Sequence, residues 1–225
     1  MSKFARVVGS TLALGIAVIP SAATAQRAGD MTVGILAGVN YSTVDQDPEF
    51  GDVEFDHRLG LLAGAFLDVA LNDVFSIEPE VLYSQKGSEV EGTGENAELE
   101  GSVKLDYIEV PVLLKFKVPV SNSGFRPFLF AGPSVGFELN CSLDGEILSV
   151  TGSTDCEETS VVRTKSTDFG GTVGGGIEFL AGMQAVRLDA RYTHGFTNIS
   201  DSADSRDIKN RTFAVTVGLG WPFRR

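Results

Sequence analysis

The chain has 225 residues and a formal net charge of −12, with 30 acidic against 18 basic residues. Such a chain repels the phosphates of nucleic acids, and no cluster of Lys or Arg offsets the repulsion, so nucleic-acid binding is excluded. The length suits one domain with a sizeable interior.

The start of the chain has the features of an export signal. Lys3 and Arg6 make it positive, a short apolar stretch follows, and small residues precede a cleavage site that we place after Ala25. A membrane anchor is the alternative, but the apolar stretch is about half of the roughly 20 residues that a spanning helix needs. We therefore predict a signal peptide, residues 1–25, and one mature domain, residues 26–225.

From Met31 onward, apolar and polar residues alternate with period two, which is typical of β-strands. The last strand shows this best, since apolar residues from Phe213 to Phe223 alternate with small or polar ones. Most predicted strands exceed the about five or six residues usual in soluble sheets. We predict eight strands, at residues 31–42, 57–71, 74–86, 103–118, 125–140, 166–180, 184–199 and 209–223.

The polar face of these strands carries glycines and charges in mid-strand, which fits a narrow lumen with lipid outside. A soluble lipocalin-like barrel shows the same alternation, but the connections favour a membrane barrel. Short turns and long loops alternate strictly, as in bacterial outer-membrane barrels, where short turns face the periplasm. The predicted fold is therefore all-β, an eight-stranded antiparallel up-and-down transmembrane barrel. The short connections are residues 72–73, 121–124 and 181–184, and the long ones are 43–56, 87–102, 141–165 and 200–208.

Three prolines, Pro79, Pro111 and Pro133, fall inside predicted strands, where each removes a donor from the hydrogen-bond ladder. β-Bulges are the expected accommodation. The apolar alternation also changes phase around Pro133, and a bulge there would return both Phe130 and Val135 to the outward face.

Charged residues on the polar face are the candidate site. In an eight-stranded barrel the third and seventh strands lie on opposite walls, so we expect Arg187 and Arg191 to reach glutamates across the lumen. Buried charges persist only when they are paired and hydrogen-bonded, and so small a lumen has room for little else. The predicted lumen network consists of Glu78, Glu80, Glu109, Lys115, Arg187, Asp189 and Arg191.

The predicted outer loops are acidic, which raises the question of calcium. The first is not an EF-hand loop, because Gly51 falls one residue past the required position and Asp56 replaces the bidentate Glu. We expect solvated loops that repel anionic lipopolysaccharide or bridge to it through cations. No metal site and no cofactor are predicted. Neither histidine, His57 or His194, lies in a hydrolase motif, so no catalytic residue is predicted.

Six segments in order resemble the PorT-like outer-membrane β-barrel family, from about Val33 to Phe223. The resemblance implies an outer-membrane barrel without catalytic residues, and some members are linked to protein secretion. Such barrels commonly end on an aromatic residue that the insertion machinery recognises. Here Trp221 and Phe223 are the terminal aromatic residues, and two arginines follow. The segments are GILAGVNYS (34–42), FSIEPEVLYSQKG (75–87), LDYIEVPVLLKFKV (105–118), PFLFAGPSVGF (127–137), LDARYTHGFTNIS (188–200) and KNRTFAVTVGLGWPF (209–223).

The leading functional interpretation is a structural and interaction module with a plugged lumen. Its expected partners are outer-membrane lipid and lipopolysaccharide, the barrel insertion machinery and an envelope protein. A narrow ion or small-solute channel is the alternative, and an outer-membrane lipid-modifying enzyme is a distant third. A wide diffusion pore is excluded, because open aqueous channels need about 16 strands.

A Cys141–Cys156 disulfide is expected, because exported chains mature where disulfides persist and both cysteines lie in one Gly/Ser/Thr-rich stretch. A metal site is disfavoured, since neither histidine is close in sequence. Closing a loop of ~15 residues contributes ~3 kcal/mol on the chain-entropy estimate. Reductant should lower the free energy of unfolding by about that amount in urea titrations, and a variant with both cysteines replaced by serine should not respond. Alkylation of either cysteine before reduction would contradict the disulfide.

Overall fold

The computed structural model describes residues 28–47, 53–94, 97–120, 124–147, 150–155, 167–181, 183–197 and 207–223. Strands dominate these segments. They are β1 (Met31–Asp47), β2 (Val53–Ala70), β3 (Phe75–Gly94), β4 (Ala97–Lys117), β5 (Phe125–Ile147), β6 (Val150–Asp155), β7 (Thr167–Ala181), β8 (Gln184–Gly195) and β9 (Asp207–Phe223).

Eight of the described strands form a closed antiparallel ring. Each pairs with its neighbours along the chain, β5 pairs with β7, and β1 closes the ring against β9. The short strand β6 pairs with the outer end of β5 and lies outside the ring. The predicted fold, an eight-stranded antiparallel barrel, is confirmed. Among the described residues, no helix is long and apolar enough to cross a membrane.

The barrel is staggered, as closure of a sheet requires. Followed from pair to pair around the ring, the register leaves β1 at Met31 and returns to β1 at Tyr41, ten residues further on. Such a stagger tilts every strand against the barrel axis, so residues of one register row lie at different heights. The row runs through Met31, Val69, Ile77, Leu114, Ala131, Val173, Tyr192, Phe213 and Tyr41.

The strands continue into segments that the sequence pattern assigned to long loops. β3 and β4 stay paired as far as Gly94 and Ala97, so most of the predicted loop 87–102 is a hairpin. β5 likewise extends to Ile147 and pairs there with β6. The prediction of long loops was wrong for these segments, because backbone hydrogen bonds continue a ladder after the apolar alternation has ended. The signal peptide, residues 1–25, lies outside the described residues and stays a prediction.

The prolines do not cause the expected bulges. The register of β5 against β7 is unchanged through Pro133, which faces Gly171, and it is also unchanged on either side of Pro79 and Pro111. Each proline therefore removes a donor without shifting the strands. The bulges lie elsewhere, on β2 between His57 and Leu62 and on β5 at Leu139, opposite Asp106 and Tyr107 of β4.

The change of phase near Pro133 has a different origin. Phe128 and Phe130 point into the lumen, where they are 2% and 3% exposed, while Phe137 on the same strand faces outward. The expected outward position of Phe130 was wrong, because the sequence does not reveal that the lumen also buries apolar side chains. One such cluster is Leu113, Phe128 and Phe130, and another is Leu36, Leu62, Phe66, Leu82 and Ala214.

The outer surface is apolar along the middle of the strands, as Val215, Val217 and Leu219 on β9 illustrate. On an outer-membrane barrel this face contacts lipid, where an Arg at the bilayer midplane destabilises the fold by about 2–4 kcal/mol. We therefore expect Val217→Arg to lower the free energy of unfolding in lipid vesicles by about 2–4 kcal/mol. Val217→Leu is the matched control and should leave the stability nearly unchanged. Equal stability of the two variants would contradict a lipid-facing Val217.

Candidate functional site

All seven predicted lumen charges are buried on the inner face of the barrel, and six of them lie together. Glu109 is the exception, since it forms an ion pair with Lys86 on the neighbouring strand and lies apart from the others. The six that meet are Glu78, Glu80, Lys115, Arg187, Asp189 and Arg191.

The two arginines reach across the lumen from β8 to β3 on the opposite wall. Arg187 donates from Nη1 to Glu78 Oε1 at 2.8 Å and from Nη2 to Glu80 Oε1 at 2.9 Å. Arg191 donates from Nη1 to Glu80 Oε2 at 2.6 Å. Arg191 is also held from its own strand, since its Nε and Nη2 both donate to Asp189 Oδ1, at 3.1 and 3.0 Å. The planar guanidinium groups thus join two opposite walls through directional hydrogen bonds. These bonds specify which strands face each other in the closed barrel.

The chain of ion pairs continues along β4 to the end of the barrel with the short turns. Lys115 Nζ lies 3.0 Å from Glu78 Oε2 and 3.4 Å from Asp68 Oδ2. Lys117 Nζ lies 2.8 Å from the other oxygen of Asp68. Ser76 Oγ donates to Asp68 at 3.1 Å. Every carboxylate of this segment therefore has at least two polar partners.

The connected charges balance. We call this set the lumen network: the cations Lys115, Lys117, Arg187 and Arg191 and the anions Asp68, Glu78, Glu80 and Asp189. Buried charge is costly unless it is paired with good geometry, and a neutral network with shared partners meets that condition. One contact is electrostatic only, since Arg187 Nε lies 3.3 Å from Asp189 Oδ2 without hydrogen-bond geometry.

Aromatic rings cover three of the four cations. The Arg187 guanidinium lies 3.9 Å from the centre of the Phe66 ring, and Lys115 Nζ lies 4.1 Å from that of Phe128. The Arg191 guanidinium is 5.3 Å from the Phe130 ring. Cation–π contacts gain strength where water is excluded.

Two glycines make room for the network. A Cβ at Gly218, which faces Arg187 on the next strand, would lie 2.9 Å from Arg187 Cγ. A Cβ at Gly174 would overlap the Phe130 ring. The small residues of the polar face thus have a steric role, because they admit the long side chains of β8 and the rings of β5.

Sequence reasoning missed several members of the site. Asp68 and Phe66 lie on β2 in the inward phase, so strict alternation from Leu62 could have identified both. Lys117 lies on the same inward face of β4 as Lys115, next to the turn, so alternation could have identified it as well. Strict alternation from Val135 would also have placed Phe130 inward, but the bulge expected at Pro133 reversed that phase.

A second polar cluster lies nearer the outer end of the lumen. Asp168 accepts hydrogen bonds from Thr197 Oγ1 at 2.6 Å and from Asn210 Nδ2 at 3.1 Å. Tyr107 lies close by and its hydroxyl donates to Glu138 at 3.4 Å. This outer cluster holds the carboxylates of Asp168 and Glu138, and Lys86 Nζ lies 5.3 Å from the centre of the Tyr107 ring. No group of three or more His, Cys, Asp or Glu side chains in the described segments is arranged to hold a metal ion.

The two predicted terminal aromatic residues lie on the outer surface. Trp221 and Phe223 face outward at the end of β9, 37% and 57% exposed. Cys141 is buried on β5, whereas Cys156 lies outside the described residues, so the disulfide stays a prediction. The acidic side chains of the predicted outer loops are also outside the described set.

The family model for outer membrane protein β-barrel domains matches residues 24–201. The chain belongs to this family. It is therefore an outer-membrane β-barrel, and the apolar stripes of its strands face lipid. No curated protein matches the chain.

Three solved outer-membrane proteins are similar to this chain. OprG from Pseudomonas aeruginosa is 14% identical, with a TM-score of 0.55 over 88% of this chain and 98% of that chain. Neisserial surface protein A is 12% identical, with a TM-score of 0.48 over 85% and 97%. The outer membrane protease OmpT from Escherichia coli is 11% identical, with a TM-score of 0.48 over 93% and 99%. At 14% identity the similarity to OprG shows the fold alone.

Removing one anion from the lumen network should destabilise this outer-membrane barrel strongly. Glu80→Gln deprives Arg187 and Arg191 of a shared partner and leaves buried positive charge uncompensated, which costs about 3–5 kcal/mol. Glu138→Gln makes the same chemical change in the half-buried outer cluster and should cost far less. Urea unfolding of both variants in lipid vesicles measures the difference. Equal losses would mean that the network is not held by its charges.

Proposed function

We propose that this outer-membrane barrel is a sealed structural and interaction module rather than a pore. The observation that carries the proposal is the lumen network, which joins β2, β3, β4 and β8 across the inside of the barrel. The proposal includes no enzymatic activity.

The burial of the network supports a sealed lumen. The side chains of Glu80 and Arg191 are 0% and 3% exposed, and those of Glu78 and Arg187 are 1% and 2% exposed. An ion crossing this layer would have to break several charge-assisted hydrogen bonds in a region of low dielectric. The aromatic rings against three of the cations and the two apolar clusters in the lumen also support a sealed layer.

The long outer hairpins support a role in interactions. β3 and β4 remain paired as far as Gly94 and Ala97, and β5 continues into a hairpin with β6. Ordered backbone that extends past the apolar band offers a platform for an envelope protein partner. The resemblance to PorT-like barrels, some of which are linked to protein secretion, supports such a partner. The strand that ends at Phe223 is the segment that we expect the insertion machinery to recognise.

A narrow cation path is the second candidate, and the outer cluster favours it. Asp168 and Glu138 place two carboxylates towards the outer end of the lumen, and carboxylates attract cations. On this interpretation the lumen network is a gate instead of a permanent seal.

Conductance in planar bilayers separates the two candidates. The wild-type barrel should show no discrete openings. Replacing Glu80 and Arg191 together with alanine removes one anion and one cation, keeps the remaining network neutral and should introduce openings. Replacing Lys86 and Glu109 with alanine is the matched control, since that pair lies outside the network, and it should leave the barrel closed. Discrete cation-selective openings of the wild-type protein would contradict the seal and support the gate.

A further inference from the structure

The outward face of β9 changes from apolar to charged at its outer end. From Phe223 back to Phe213 its outward residues are all apolar, and the next one towards the outer hairpins is Arg211, which is exposed. A lipid-facing Arg is costly at the bilayer midplane but nearly neutral near the interfaces. The position of Arg211 relative to the apolar band therefore decides what it contacts.

The length of the stripe places Arg211 at the outer headgroup level. From Phe213 to Phe223 the strand advances ten residues, which is roughly 33 Å at ~3.3 Å per residue and roughly 25 Å along the axis at a tilt of ~40°. Roughly 25 Å is the height of the apolar band on outer-membrane barrels. Arg211 therefore lies just beyond the outer edge of that band, on the side away from the short turns.

His194 lies directly beside Arg211. The two residues are paired across β8 and β9, and residues opposite each other in an antiparallel pair project from the same face. The imidazole lies between two aromatic rings, 6.3 Å from Tyr192 and 5.7 Å from Phe196. Its Nδ1 is buried and has no hydrogen-bond partner among the described residues, so only Nε2 can face a ligand. Aromatic packing, and not a protein acceptor at Nδ1, holds the ring against the lipid-facing surface.

Aromatic side chains surround this pair on the side of the membrane. Tyr192 and Tyr41 both pair with Phe213, one from each neighbouring strand. Beyond Tyr41, His57 stacks on the tyrosine ring at 4.3 Å with the planes 4° apart. An aromatic girdle marks the membrane interface of a barrel, so the polar groups beyond it are at the depth of lipid headgroups.

We propose that Arg211 and His194 form a binding site for a phosphate group of the outer-leaflet glycolipid, lipopolysaccharide. The Arg fork matches phosphate geometry and donates charge-assisted hydrogen bonds to it. His194 supplies a further donor from the adjacent strand, and the aromatic girdle packs against the acyl chains below. The site rests on the proposed interaction role and gives it a ligand, but it depends only on the lipid-facing surface and not on a sealed lumen. Lipid A binding and closure of the lumen can therefore be lost independently and measured separately.

Native mass spectrometry of the detergent-purified full-length barrel, titrated with bisphosphorylated lipid A, tests the site. Arg211→Gln should weaken binding about tenfold, as expected for the loss of one charge-assisted hydrogen bond. Arg211→Lys keeps the charge without the fork and should bind with intermediate affinity. Lys104→Gln is the matched control, since it removes one cation from β4 on the opposite wall, and it should bind as the wild type does.

Two further lipids identify the ligand. Dephosphorylated lipid A should bind the wild type about as weakly as lipid A binds Arg211→Gln, and phosphatidylglycerol should not compete. The proposal is overturned if Arg211→Gln and Lys104→Gln bind alike, if the phosphates make no difference, or if phosphatidylglycerol competes equally. Electrophoretic mobility without heating reports folding of each variant. His194→Gln, with a smaller expected loss of a few-fold, carries the test if Arg211→Gln does not fold.

Discussion

Arg187 and Arg191 can remain charged inside the lumen only because Glu78 and Glu80 meet them from the opposite wall. An unpaired guanidinium in that position would be strongly destabilising. The pairing requires β3 and β8 to lie across the barrel from each other at a fixed height, which eight strands and a ten-residue stagger from Met31 to Tyr41 provide. Closure of the barrel and neutralisation of the network therefore depend on one another.

Other features of the lumen follow from the same pairs. Long side chains on β8 need space, and Gly218 opposite Arg187 provides it. The rings of Phe66 and Phe130 lie against the guanidinium groups of Arg187 and Arg191, and the ring of Phe128 lies against the Lys115 ammonium group. A lumen built in this way is a packed interior with charges at its centre, which explains why so small a barrel need not be hollow.

The sequence predicted the barrel and much of its candidate site, for a physical reason. Lipid outside and a narrow lumen inside impose the alternation of period two on every strand, and that alternation identifies inward charges such as Glu80 and Arg191. For Phe130 the expected bulge at Pro133 reversed the phase that alternation gave, because an apolar ring suits either side of the wall and the sequence alone does not decide between them. The alternation could not predict that β3 continues to Gly94, since backbone pairing beyond the membrane leaves no trace in the apolar pattern.

A double-mutant cycle between Glu78 and Arg187 tests most directly whether the lumen network holds the barrel closed. The free energies of unfolding of the wild type, Glu78→Gln, Arg187→Gln and the double variant would be measured in lipid vesicles. Close pairs of charges give coupling energies of about 1.5 kcal/mol or more, so we predict a value of about 2–3 kcal/mol for this hydrogen-bonded pair. A coupling energy near zero would contradict the account, because the two charges would then contribute independently of their contact.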